Sequence, residues 1–352
     1  MKRERFMRVM RREEEGYIPY EFCFCKAFYE KFQRNTKAKD YFEYYDVPVR
    51  FVMPEYIGNS DYTSFFDNAY ELKIDQWGIG HKPGRLAHFT QIISPLKNAE
   101  TIDDIKKFPF VDPVKDYDWD GFTKEVKDLK NRDIIVYGAL ATTVFEVSWQ
   151  LIGFEKFMMA LHDDLPIANY LMDKIIEIRK EFARRYAQIG VDCLHLGDDV
   201  STQLNMMMSV KMWREKIKPR LKQVIDEARC IKSDILMDYH GDGNLQSIIP
   251  DLIEIGIDIL NPVQPECMNP YEIKHKYGDR LSFRGALGTQ TTLPFGTVDE
   301  VRNTCEKLCS ELGKGGGFML CPTHMIEPEV PWENFEAYID VLKSYNKENN
   351  KY

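Results

Sequence analysis

The sequence predicts an α/β chain folded as a single (β/α)₈ (TIM) barrel domain across residues 1–352. Three observations predict it. From residue 130 onward, apolar runs of strand length alternate with helical stretches, the pattern of a parallel sheet whose connections are helices. The joint Ile189-Gly190-Val191-Asp192-Cys193-Leu194 recurs as Ile255-Gly256-Ile257-Asp258-Ile259-Leu260, each copy a helix end, a glycine cap and the entry to a buried strand. No Gly-x-Gly-x-x-Gly turn accompanies these units, which favours a barrel over a dinucleotide-binding sheet.

Composition narrows the function classes. Hydrophobic residues make up 44% and charged residues 29%, as in an ordinary globular protein. The net charge of −9 argues against nucleic acid or an anionic membrane as the main partner. The charged start Met1-Lys2-Arg3-Glu4-Arg5-Phe6 lacks the apolar stretch of a secretion signal, and no run approaches the ~18 apolar residues of a membrane span. Eight cysteines without framework spacing read as reduced thiols, so a cytoplasmic location is expected.

Residues 1–16 read as a charged helix that buries Phe6, Val9 and Met10, with Arg8, Arg11 and Arg12 on its solvated face. Residues 17–25 read as the first strand, in which Cys23 and Cys25 share a face, as a metal pair or, more simply, as small core residues. Residues 26–110 are an aromatic-rich elaboration containing Tyr41, Phe42, Tyr44, Tyr45, Phe65, Phe66 and Tyr70. It is expected to form part of a pocket wall and to hide an eighth strand; Asp75–Gly80 reads as a tight turn after a helix. Strands follow near 133–140, 192–197, 234–239, 257–261, 282–287 and 317–322. One helix runs through Trp149, Phe154 and Met158. The next, from Pro166 to Gly190, repeats apolar residues at spacings of three and four. The capping box Thr297-x-x-Glu300 opens a helix over 298–312, and the last runs over 332–345. Cys305 and Cys309 share a helix face with Val301, Leu308 and Leu312 and read as core.

Barrel chemistry collects at the carboxyl ends of strands. Those ends carry Thr142, Thr143 and Glu146; His195 with Asp198-Asp199; His240 and Asp242; Asn261 and Gln264; Arg284 with Thr289 and Gln290; and Cys321 with His324. His240 and Asp242 are two apart in an extended segment, so their side chains converge, and Gly241 and Gly243 let the chain turn there. Imidazole and carboxylate both bind zinc, and catalytic zinc takes three protein ligands. His324, Cys321 and Glu146 compete for the third place. Of Asp198 and Asp199, successive side chains diverge, so one is expected to face the cavity, either to orient a substrate or act as an acid–base group, or to cap the following helix or turn. Met206-Met207-Met208 reads as packing or as a surface for a flat partner.

The segments His195–Asp199, Tyr239–Gly243, Asn261–Glu266, Gly285–Gln290 and Pro322–His324 together resemble the uroporphyrinogen decarboxylase superfamily, in particular its corrinoid-dependent methyltransferase branch. The resemblance implies a (β/α)₈ barrel, a zinc ion, and methyl transfer between a small methylated substrate and a corrinoid protein; it also allows a homodimer. Two departures stand out. Where the decarboxylases carry arginines after the first strand, this chain has Phe22-Cys23-Phe24-Cys25-Lys26-Ala27, which argues against a substrate with many carboxylates. Where the methyltransferases place two zinc-binding cysteines, it has Asp242 and His324. The implied metal set is His240, Asp242 and His324. Asp198, Asp199 and Glu146 are the implied catalytic groups, and Gln203, Gln264 and Gln290 the substrate-binding ones. A thiolate-free zinc site suits an oxygen substrate such as a methyl ether. The competing readings are a decarboxylase or lyase of a small acid or tetrapyrrole, and a non-catalytic corrinoid-binding protein.

Overall fold

The computed structural model describes residues 2–84 and 90–349; residues 1, 85–89 and 350–352, which the predicted first helix, aromatic region and single domain include, lie outside the described residues. Its strands are β1 (Val49–Val52), β2 (Lys73–Ile74), β3 (Gly80–Pro83), β4 (Thr90–Ile93), β5 (Ile135–Ala139), β6 (Cys193–Gly197), β7 (Leu236–His240), β8 (Ile259–Asn261), β9 (Ser282–Leu287) and β10 (Phe318–Pro322). Seven of them form one parallel sheet in the order β1-β5-β6-β7-β8-β9-β10. The stretch predicted as the first strand runs parallel to β10 through the bridges Tyr20↔Leu320 and Phe24↔Ile326. It is the eighth stave of a TIM barrel. The strand expected in the irregular region before residue 110 is β1, four residues long.

Periodicity explains the staves. Inward positions two apart along each strand build successive layers. Val49, Ile135, Cys193, Leu236 and Ile259 form the apolar lower layer, and Phe6, Val9 and Met10 of the helix Lys2–Met10 pack into it from below. Each buried side chain of this size contributes about 1.5–3 kcal/mol. The helix therefore plugs the amino-terminal end of the barrel and leaves the carboxyl end for chemistry.

It also stops at Met10 rather than at residue 16. Arg12, expected on a solvated face, turns at φ +65° and donates to Ser282 Oγ at 2.7 Å.

The helix Pro166–Ile189 matches its predicted span, with proline in its first turn and Gly190 as a left-handed cap. The helix predicted through Trp149 and Met158 is two, Phe145–Ile152 and Phe154–His162, broken at Gly153 where φ is +94°. Asp75–Gly80 turns not after a helix but between β2 and β3 of a small antiparallel sheet β2-β3-β4, with the Asp75 carboxylate accepting from the amides of Trp77 and Ile79. Much of the aromatic region is packing: Phe22, Phe24, Tyr41, Tyr45 and Phe335 touch one another beneath the last helix, Trp332–Asn349. No described helix is long and apolar enough to cross a membrane.

Candidate metal centre and cavity

Strand register sets the site. In the β6–β7 pair His195 lies opposite Asp238 and Gly197 opposite His240; in the β7–β8 pair His240 lies opposite Asn261. Gly197 is required there: at φ +144°, a Cβ would sit 1.9 Å from the His240 carbonyl oxygen. Side chains from neighbouring staves thus meet in two tiers inside the barrel mouth.

The upper tier is a cluster of candidate ligands. One ligand atom each from Asp199, His240 and Asp242 lies within 4.8 Å of the others. His240 Nε2 is 4.0 Å from a carboxylate oxygen of Asp199 and 4.0 Å from one of Asp242. Two atoms each about 2.1 Å from one zinc ion lie at most about 4.2 Å apart, so these separations fit a shared ion. The imidazole is aimed by its other nitrogen. Asn261 Nδ2 donates to the Arg284 carbonyl at 2.8 Å, which leaves Asn261 Oδ1 as an acceptor, 2.6 Å from His240 Nδ1. The proton of neutral His240 is therefore on Nδ1, and Nε2 offers its lone pair to the carboxylate side. A partner on the far nitrogen is the usual device for orienting a metal-binding histidine.

The acidic neighbours divide their work. Asp199 accepts from the Asp242 amide at 2.8 Å, and its own amide donates to Glu146 at 3.0 Å. Burial, with Asp198, Asp199 and Asp242 close by, pushes the Glu146 carboxyl up to about 9. Burial together with Asp199 also raises Asp242, with the two neighbouring imidazoles acting the other way. A concentration of carboxylates that shifts its members this way is one that a cation would neutralise. Asp198, expected either in the cavity or at the start of the following helix, is buried and accepts from the amides of Val144 and Glu146 at 3.0 Å. It caps Phe145–Ile152, a helix that precedes it in the chain. Removing the carboxylate that accepts from two backbone amides is expected to make Asp198→Ala about 3 kcal/mol less stable by urea unfolding.

The lower tier was hidden from a motif-by-motif reading. Arg284 on β9 forks onto Asp238, with Nη2 2.9 Å and Nε 3.3 Å from its oxygens, and reaches Glu21 at 3.4 Å. Burial acts to raise Asp238, but Arg284 and His195 outweigh it and hold the carboxyl down to about 2. Asp238 Oδ2 is 2.6 Å from His195 Nδ1. Burial pushes the His195 imidazole down to about 4, with Asp238 opposing. Its neutral form is thus favoured by folding above pH ~6.5, and that contribution is lost as pH falls through 4. Nitrogen-15 NMR at pH 5.5 is expected to show His195 as the neutral Nδ1–H tautomer, whereas a free imidazole would be mostly protonated. The signal available in the sequence was Asp238, a carboxylate two residues before His240 in an apolar strand.

Above this tier opens a cavity of about 300 Å³ lined by Phe22, Cys23, Phe51, His195, His240 and His324, among others. His324 lines it from the β10 end and stands outside the three-residue ligand group. Cys321 is buried beside Glu21 and Arg284, below the ligand group, its thiol raised by burial and by Glu21. Cys25 caps the helix Lys26–Thr36 through Sγ, while Cys23 is open to solvent at the cavity, so the two are not a common core pair. The aromatic lining is Phe22 and Phe51 rather than the named rings of 41–70. Gln264 is buried and accepts from the Gly243 amide at 3.1 Å, pinning the turn after β7. Gln203 donates to Gln290 at 2.7 Å across the rim.

The uroporphyrinogen decarboxylase (URO-D) family model matches residues 1–345. The chain belongs to this family. It is 21% identical over 274 residues to a uroporphyrinogen decarboxylase of Pseudomonas fluorescens strain Pf-5, covering 75% of this chain and 73% of that protein. A second, from strain Pf0-1, is 22% identical over 269 residues, covering 74% and 72%. Among solved structures, a methyltransferase from Methanosarcina mazei aligns over 99% of this chain and 98% of its own, with a TM-score of 0.69 and 16% identity. The family member described here thus shares its whole fold with a methyltransferase, and that likeness concerns the fold.

Proposed function

We propose that this URO-D family member is a methyltransferase that moves a methyl group between a small methylated compound and a corrinoid carried by a partner protein. A divalent metal, with zinc as the first candidate, is held by Asp199, His240 and Asp242, and His324 faces the substrate side. The observation that carries the reading is the aimed lone pair of His240, 4.0 Å from two carboxylates at the edge of an open cavity. When bound, the metal supplies positive charge that turns the substrate heteroatom into a better leaving group. Asp199 and Asp242 bring two hard oxygens and no thiolate, which favours an oxygen substrate such as a methyl ether. Glu146 holds the Asp199 amide, and Asp198 secures the helix that carries Glu146, so both act as positioning residues. Gln203 and Gln290 bridge the rim next to exposed Leu204, a setting that suits a partner covering the mouth.

Decarboxylation of a tetrapyrrole is the weaker reading. A substrate with many carboxylates needs free cations, and the arginine in this cavity, Arg284, is committed to Asp238 and Glu21. The test is transfer of the methyl group of anisole to free cob(I)alamin, followed spectroscopically before and after chelation. Loss of transfer on chelation, restored by added zinc, is expected. Full transfer by metal-free protein would remove the metal from the scheme.

A further inference from the structure

We infer that His195 determines specificity: its Nε2 accepts a hydrogen bond from an X–H group (hydroxyl or thiol) on the bound compound. The cavity thereby separates a compound carrying that donor from its methylated counterpart. This rests on the reading above that the cavity is where the compound binds.

The tautomer follows from geometry. Asp238 is an acceptor whose two oxygens are already gripped by Arg284, and the oxygen nearest the imidazole is 2.6 Å from Nδ1. Arg284 Nη2 also lies 3.3 Å from Nδ1, but the anionic Asp238 oxygen is the nearer partner and accepts only, so Nδ1 donates to it. Ring position is settled independently by Phe51, whose ring meets the imidazole edge-on at 5.0 Å and itself lies under the Arg284 guanidinium. Nε2 is left with a lone pair, and among the described residues no group donates to it. His195 lines the cavity and its ring centre is 5.7 Å from that of His240. The two imidazoles thus have parallel arrangements, each with Nδ1 occupied, but His240 faces carboxylates and His195 faces open space. An occupant without a donor leaves a largely enclosed acceptor unsatisfied, which is the costly state for a polar group. Methylation replaces the hydrogen on X, so His195 favours the demethylated form.

The experiment is a ligand-observed NMR titration of the protein as purified, its metal content measured on the same sample, with phenol and with anisole. Wild type is expected to bind phenol about tenfold more tightly, the effect of one such hydrogen bond. His195→Leu brings the ratio close to one by weakening phenol alone. His195→Gln, whose side-chain carbonyl can accept, restores part of the preference and guards against a folding artefact. A wild-type ratio near one, a preference that survives in His195→Leu, or no measurable phenol binding would each overturn the assignment. Metal content and transfer to cob(I)alamin are separate readouts. A protein that prefers phenol through His195 yet holds no metal would sink the metal reading and leave this one standing.

Discussion

Purified protein with His240 replaced by alanine is expected to contain no stoichiometric zinc, whereas wild type contains close to one equivalent by elemental analysis. The size of the effect follows from the ligand count. Removing the imidazole leaves two carboxylates 39% and 35% exposed, whose attraction for a cation water competes with directly. Asn261→Ala tests the same centre more gently. Its carboxamide touches no ion; it orders the His240 ring by accepting from Nδ1 while its amide nitrogen is held by the Arg284 carbonyl. Loss of such a supporting partner costs about 10–100-fold in metal affinity. A graded result, with His240→Ala metal-free and Asn261→Ala weakened, would support both the ligand and the device that aims it. Metal retained at wild-type affinity in both variants would rule the cluster out.

Replacing Arg284 with methionine is expected to lower the unfolding free energy by about 3–5 kcal/mol, the usual consequence of breaking a buried ion pair from one side. Methionine keeps much of the volume, so the loss is electrostatic. Asp238 is fully enclosed and Glu21 nearly so, and both carboxylates lose their countercharge. The variant's stability is expected to recover partly as pH falls from 7 towards ~4, because an unpaired buried carboxyl takes up its proton at a higher pH in the folded chain than in the unfolded one, opposite in sign to wild type. In wild type the Asp238 carboxyl is held down to about 2, so its contribution is complete above pH ~3.8 and is lost as pH falls through 2. Urea titrations of the variant at pH 7 and pH 4, and of wild type at pH 4 and pH 2, read both signs. A variant as stable as wild type at pH 7 would show that the network does not support the floor of the cavity.

Much of the barrel was legible in the chain. Strands from residue 133 onward begin and end within a few residues of the apolar runs that announce them, because a parallel strand buried on both faces must be apolar throughout. The second stave was harder: β1 is four residues in a polar, aromatic setting and offers no long period to read. Lone glycines and tight turns explain the other differences: Gly153 splits one helix, and Asp75 closes a hairpin rather than ending a helix.

The site divides along the same line. The sequence by itself determined which residues stand at the carboxyl ends of strands, and therefore that His240 and Asp242 share a face. Only the tertiary structure decided the partners. It put Asp199 beside His240 and Asp242, retired Asp198 to a helix end, and turned Gln264 into a clasp for the turn after β7. It also joined Glu21, Arg284, Asp238 and His195 under the cavity. The physical reason is register. Along one strand the period of two says which side chains share a face, but which neighbour each side chain meets depends on how adjacent strands are staggered. That stagger is set by packing over the whole barrel, from the plug of Phe6, Val9 and Met10 to the glycine at 197 that lets two strand ends touch.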